Sequence, residues 1–270
     1  MRIPFHKMHG AANDFILVDD RAERFPVARR DWIARLARRR TGIGAEGIIL
    51  IQPSATADFR MRFFNPDGGE VDMCGNGARC VARLAHELGA APRNMTIETP
   101  AGRVAAEVTA PGMVRLTLTA PRDWRMGLAL ELDGNRREAD FVNSGVPHAV
   151  LRTDDLDGTD VARLGAEIRY HAAFQPAGTN ANFISVTGPR SLRIRTYERG
   201  VEAETLACGT GIAASALVAG RRGWVNAPVA VTCASGDTLT VDWRGAGEDV
   251  RDVTLTGPAE HVFQGELPEP

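Results

Sequence analysis

The frame Cys-Gly-x-Gly occurs twice in the chain, at 74–77 and again at 208–211, 134 positions apart. Its surroundings repeat as well. "RMRFFNPDGGEVDMCGNG" begins at Arg60 and "RIRTYERGVEAETLACGTG" at Arg193. Arg-x-Arg, an aromatic (Phe64 or Tyr197) and a Glu four positions before the Cys (Glu70 or Glu204) match in order, with one residue inserted in the second copy. Two copies indicate a duplicated domain, since a solenoid needs more repeats. The run after the second frame, "GTGIAASALVAG", is small or apolar nearly all round, which marks a helix buried on every side. The expected fold is therefore α/β (α+β): two pseudo-repeated domains, each a strand-rich sheet or barrel around a central buried helix.

The rest of the chain fits this plan. "DFILVDD", "GIILIQ", "DFRMRFFN", "NMTIETPAG", "RVAAEV" and "MVRLTLT" read as strands broken by Gly, Pro and Asp turns. In the second half "HAVLRT", "NFISVTG", "SLRIRTYE", "VAVTCAS", "LTVDW" and "VTLTG" read alike. A first helix is expected over Asp31 to Arg40, with Trp32, Ile33, Leu36 and Ala37 on one face and Arg38-Arg39-Arg40 as its solvated end. A second follows Cys74, with Val81, Leu84, Ala85 and Leu88 at helical spacing and Gly89 as its stop. The texture changes at "TAPRDWRMGL", 119–128, the expected junction between domains.

Composition removes several classes of function. A net charge of −2 and a pI near 6.3 do not fit a nucleic-acid footprint, which needs a basic surplus. The opening "MRIPFHKMHGAANDF" lacks the apolar core of a signal peptide, and Gly211 to Gly220 is too short to span a bilayer. Cys74, Cys80, Cys208 and Cys233 are too few for a disulfide framework in a chain of 270 residues, and their spacing is not that of a zinc site. No metal is expected, and a reducing cytoplasm is the expected setting. Lys7 is the only lysine among 32 basic residues, so it alone could form a Schiff base. "GIGAEG" lacks the dinucleotide fingerprint, and no Walker A sequence occurs. No cofactor is expected.

A cysteine just before a helix sits among unpaired backbone N–H groups at the positive end of the helix dipole. That position favours the thiolate. The glycines let a carboxylate approach the same donors. Two such helix ends facing one substrate carboxylate would put a sulfur on either side of its α-carbon. One thiolate could then remove the α-proton while the other thiol returns a proton to the opposite face, with inversion. On this reading Cys74 and Cys208 are the reactive thiols, and Cys80 and Cys233 are small core residues.

At these residues the chain resembles the diaminopimelate epimerases, through "HGAANDFILVD", "TGIGAEG", "RFFNPDGGEVDMCGNGARC", "ETPAG", "GVPH", "GTNANF", "YERGVEAETLACGTG" and "LTGPAEHVFQG". The resemblance implies a cofactor-independent epimerase that converts LL- to meso-diaminopimelate, and a homodimer. It implies two similar domains, 1–120 and 121–259, with the last strand, about 260–270, returning to the first. It implies roles by position. Cys74 and Cys208 are the acid and base. The backbone N–H groups of Gly75, Asn76, Gly209 and Thr210 hold the reacting carboxylate. Asn13 and Glu198 lie near the reacting centre, and His148 stands behind the thiols. Asn65, Asn180 and Arg199 hold the distal amino-acid end. The sequence departs from the common family pattern at Val146, at Gly47 and at Ala11-Ala12.

Three other readings compete, one of them an isomerase of the related cysteine-free branch that uses acidic residues, against which both cysteines weigh. A proline racemase or hydroxyproline epimerase would share the two thiols, but tends to carry His where Asn76 stands, and would make poor use of Arg199. A non-catalytic amino-acid binding protein would need neither thiol.

Overall fold

The computed structural model describes residues 2–269. They fall into two compact units. The first ends at Leu116 and resumes at Gly257, and the second is Thr117–Thr256. The junctions expected from sequence were 120/121 and about 260.

The first unit holds β1 (Ile3–Gly10), β2 (Asn13–Asp19), α1 (Arg30–Ala37), β3 (Gly47–Gln52), β4 (Phe59–Phe64), β5 (Glu70–Val71), α2 (Gly75–Glu87), β6 (Asn94–Thr99), β7 (Gly102–Ala110) and β8 (Met113–Thr117). Most of the second consists of β9 (Arg122–Leu132), β10 (Asn135–Asn143), β11 (Pro147–Arg152), α3 (Val161–Tyr170), β12 (Asn180–Gly188), β13 (Ser191–Glu198), β14 (Ala203–Thr205), α4 (Gly209–Arg221), β15 (Val229–Thr232), β16 (Thr238–Arg244) and β17 (Arg251–Pro258). The final strand, β18 (Glu260–Leu267), pairs antiparallel with β1 and so belongs to the first unit.

The two units share one wiring. In the first, β18, β1 and β2 are antiparallel neighbours, β2 and β3 run parallel, β3 and β4 antiparallel, β4 and β6 parallel, and β6, β7 and β8 antiparallel. The short β5 hangs antiparallel on β4. In the second, β9 to β17 repeat that series step for step, with β14 hung on β13. The strand that opens the second unit, β9, therefore has as its counterpart β18, which closes the chain.

Each sheet surrounds its second helix. Helix α4 touches β10, β11, β12, β13, β15 and β16. A flat sheet of strands about 4.8 Å apart could not bring that many against a helix about 10 Å wide, so the sheet must curl. The all-round apolar pattern of α4 matches its surroundings, for every residue from Gly211 to Ala219 is buried. Helix α2 touches β1, β2, β3 and β7 in the same way. Close approach selects glycine there: a Cβ on Gly77 would lie 2.6 Å from Ile49 Cδ1.

The outer helices cover the other face. Trp32, Ile33 and Leu36 of α1 pack with Ile16, Val18, Ile48 and Leu50. Strand β3 is thus buried on both faces, which is why "GIILIQ" is apolar without alternation. Helix α3, which the strand reading passed over, packs Val161, Leu164 and Ile168 with Phe183 and Tyr197. Asp160 caps it by accepting from Arg163 N at 3.1 Å.

Two expectations need correction. Helix α1 stops at Ala37, three residues early, because the returning loop takes up its last carbonyls: Ile43 N and Gly44 N donate to Leu36 O, and Ala45 N to Ala37 O. A Cβ on Gly42 would lie 2.2 Å from Arg35 O, so the "TGIGAEG" motif is a helix-capping loop. Arg39 is no mere solvated end, since it bridges Asp14 and Glu46. The second correction concerns 119–128, which is mostly strand β9. Left-handed backbone at Asp123 (φ 57) and Gly127 (φ 70), with register shifts against β10, interrupts the alternation that would have revealed it.

No helix among the described residues is long and apolar enough to cross a membrane.

Candidate active site: two half-sites on one plan

Cys74 and Cys208 each stand at the head of their unit's buried helix. Cys74 and Cys208 are both extended (φ −138, ψ 120 and φ −116, ψ 108), and Gly75 and Gly209 open α2 and α4. The first intrahelical bonds run from Ala78 N to Cys74 O (2.8 Å) and from Ile212 N to Cys208 O (2.9 Å). The N–H groups of residues 75–77 and 209–211 therefore point out of the helix starts, where an anion is favoured. No acidic residue occupies either first turn.

The approach to each cysteine is held by an ion pair. Arg62 on β4 meets Glu70 on β5 through two bonds of 2.7 Å, and Arg195 on β13 meets Glu204 on β14 at 2.7 and 2.8 Å. These are the Arg and Glu that repeat in the sequence. Hydrogen bonding to Arg62 holds the Glu70 carboxyl below its ordinary pKa, and Glu204 likewise raises that of Arg195. The hairpin between strand and cysteine carries Asn65 in one unit and Glu198 in the other, each the first residue after the matched aromatic. Glu198 Oε2 accepts from Thr205 Oγ1 at 2.9 Å.

In the second unit Thr210 Oγ1 lies 3.6 Å from Cys208 Sγ and 2.9 Å from His148 Nε2. Burial, then the charge of Arg199, push the His148 pKa down to about 3 despite an opposing bond to Asn182. His148 is therefore neutral at any physiological pH. Asn182 Nδ2 reaches His148 Nδ1 (3.1 Å) and Ala149 O (2.9 Å). Sequence reasoning named Asn180 and missed Asn182. The signal was in "GTNANF": two asparagines two apart on a strand share one face.

In the first unit Asn76 takes the place of Thr210. Its Oδ1 accepts from Nη2 of Arg79 at 2.9 Å, and Arg79 Nε donates to Pro258 O at 3.2 Å. Arg79 is wholly buried one turn into α2, and it too went unnoticed in the sequence. Asn13 closes the β1–β2 hairpin opposite Gly10. Between them Ala11 and Ala12 hold φ of 56 and 61, as a two-residue primed turn requires. Burial pushes the Cys80 thiol up to about 12, which makes it inert. Lys7 is buried on β1, 2.6 Å from Asp14 and bonded to Gly44 O.

The residues expected at the distal end differ in how far their polar groups are engaged. Asn180 donates to Pro147 O (2.8 Å) and accepts from Arg199 N (2.8 Å), so most of its amide ties the end of β13 to β11. Arg199 spends Nη1 on Ala177 O (3.0 Å) and is half-buried. Val146 is half-buried just before His148. Gly47 is fixed by packing: a Cβ there would lie 2.3 Å from the Phe63 ring. Among the described residues no cluster of three or more His, Cys, Asp or Glu could hold a metal ion.

Comparison with known proteins bears on the whole chain. The family model described as diaminopimelate epimerase matches residues 5–122 and 141–262. A diaminopimelate epimerase of Aquifex aeolicus is 42% identical, with 98% of each chain covered. That of Chlorobaculum tepidum is 43% identical over 96% of this chain and 99% of its own. Among solved structures, a PhzF-family phenazine biosynthesis protein of Bacillus anthracis has a TM-score of 0.74 at 16% identity, covering 100% of both chains. A probable proline racemase of Agrobacterium radiobacter has 0.71 at 17%, over 99% of this chain and 93% of that one. At those identities the structures show a shared fold alone. The family match and the relatives above 40% identity go further: the chain belongs to the diaminopimelate epimerase family.

Proposed function

We propose that the protein is an isomerase that interconverts LL- and meso-2,6-diaminopimelate, using Cys74 and Cys208 as its acid and base and no cofactor. The observation that carries the reading is the repeated half-site: a cysteine heading a buried helix, behind an Arg–Glu clamp, in both units. The substrate follows from the relatives, which are named for that reaction over nearly their whole length.

The chemistry balances without an outside reagent. A thiolate takes the α-proton from one face of the carbon, and the electron pair spreads into the α-carboxylate. The N–H groups of Gly75, Asn76, Gly209 and Thr210 are suited to hold that charge. The opposite thiol then donates its proton to the other face. The stereocentre is inverted, and the two sulfurs have exchanged protonation states. Asn13 and Glu198 are assigned to the reacting end, with Glu198 the natural partner of the substrate ammonium. Asn65, Asn180 and Arg199 are assigned to the distal end, where the planar Arg199 guanidinium suits a carboxylate. A homodimer in the cytoplasm is part of the proposal, and light scattering in solution tests the dimer.

The direct assay supplies LL-diaminopimelate and, separately, L-proline to the purified, reduced protein. Meso product from the first alone supports the reading. Turnover of proline alone would keep the two thiols and replace the substrate. A protein that bound diaminopimelate but turned over neither compound would be a binding protein.

A further inference from the structure

Hydrogen-bond direction in the second unit is set by residues on three strands. The carbonyl of Ala149 can only accept, so the Asn182 atom 2.9 Å from it is the amide nitrogen. Asn182 Oδ1 correspondingly accepts from Thr196 Oγ1 at 3.0 Å. The same amide nitrogen lies 3.1 Å from His148 Nδ1. An amide NH2 only donates, so Nδ1 is a bare acceptor and the neutral ring carries its proton on Nε2. That N–H faces Thr210 Oγ1 at 2.9 Å and donates to it. The hydroxyl proton of Thr210 is then left for Cys208 Sγ, 3.6 Å away.

The surroundings hold this order. Ser144 Oγ donates to Thr210 O at 2.9 Å, which anchors the first turn of α4. A Cβ on Gly211 would lie 2.5 Å from Asn182 Oδ1, so the second glycine of the frame admits the asparagine. In the first unit Asn76, at the position of Thr210, accepts from the buried cation Arg79 instead.

We infer that Thr210 and Asn182 are positioning residues for Cys208: the Thr210 hydroxyl donates to the sulfur and stabilises its thiolate, and Asn182, acting through His148, fixes that direction. The importance of this for turnover rests on the epimerase reading, but the thiol's behaviour does not. The charge of Arg199 reaches His148, and Glu198 precedes Arg199 at the end of β13. Both stay in place in every variant below.

The test is the pH dependence of Cys208 alkylation by iodoacetamide in the full-length protein, followed by peptide mass spectrometry without substrate. Thr210→Val should raise the apparent thiol pKa by about one unit, slowing alkylation at neutral pH roughly tenfold. Thr210→Ser should titrate like the wild type. Asn182→Asp offers only acceptors, so it should turn the ring's proton to Nδ1, draw the Thr210 hydroxyl toward Nε2, and shift Cys208 as the valine does. If that variant does not fold, the valine–serine pair still decides. An unchanged titration in Thr210→Val, or a serine variant that behaves like the valine, would overturn the inference. Failure of the substrate assay with the alkylation shifts intact would count against the epimerase reading alone.

Discussion

Arg62 and Glu70 meet side by side through two bonds of 2.7 Å, and their pairing pins the end of β5 to β4 four residues before Cys74. The same clamp holds Cys208 through Arg195 and Glu204. Both partners are partly exposed, so the clamp adds little to global stability, about 1 kcal/mol at most. Its importance is positional, because a displaced catalytic group can cost far more rate than stability. Arg62→Met should lower kcat about tenfold or more while moving the urea midpoint only slightly. Steady-state kinetics beside equilibrium unfolding checks this, and equal loss of both would make the clamp merely structural. The contribution of Glu70 is complete above its ordinary carboxylate range and fades as pH falls through its lowered folded value.

His148 gives a distinct pH signature. Its folded pKa, about 3, lies below the unfolded value, so the unfolded chain takes up a proton that the folded one refuses. The resulting stability is full above about pH 6.5 and is lost as pH falls, by up to about 1.4 kcal/mol per unit. His148→Gln should flatten the dependence between pH 7 and 5, as read from urea midpoints. An equal slope in both proteins would contradict the buried neutral ring.

Arg199 tests the distal end. Its backbone is held by Asn180 and one guanidinium nitrogen by Ala177 O. Arg199→Met should raise KM for diaminopimelate at least tenfold with a smaller change in kcat, as the loss of a charged contact made before and during reaction requires. Unchanged kinetics would remove Arg199 from the site.

The turn at Ala11-Ala12 is strained in a way the sequence alone concealed. Both alanines are left-handed, at a cost of about 1–2 kcal/mol each, and Ala12 is exposed. Ala12→Gly should stabilise the protein by about 0.5–1 kcal/mol, once the added freedom of the unfolded chain is set against the relief. A lower urea midpoint would contradict it.

Much of this was legible beforehand because the duplication left its marks in short, rigid segments. Arg-x-Arg, the Glu and the Cys-Gly-x-Gly frame occupy one strand, one hairpin and one helix start, where spacing fixes geometry. Helix α3 was passed over: Val161, Leu164, Gly165 and Ile168 stand at helical spacing, but the Gly and the short length weaken the pattern. A Cβ on Gly165 would lie 2.3 Å from Tyr197 Cβ, a tertiary constraint that local reading cannot see. Asn182, Thr196 and Arg79 escaped for the same reason. Each matters through a partner distant in sequence, and polar residues in strands and helices ordinarily read as surface. That β18 completes the first unit came from family resemblance, since no local feature of "HVFQGEL" names its partner strand.

The most direct measurement of the central claim is solvent exchange at the α-carbon in heavy water, with reductant and no added cofactor, in the wild type and in Cys74→Ser and Cys208→Ser. The two-thiol account predicts that wild-type protein places deuterium on the inverted centre of diaminopimelate, and that each single variant loses at least a hundredfold in epimerisation. Epimerisation at wild-type rate in either serine variant would contradict it.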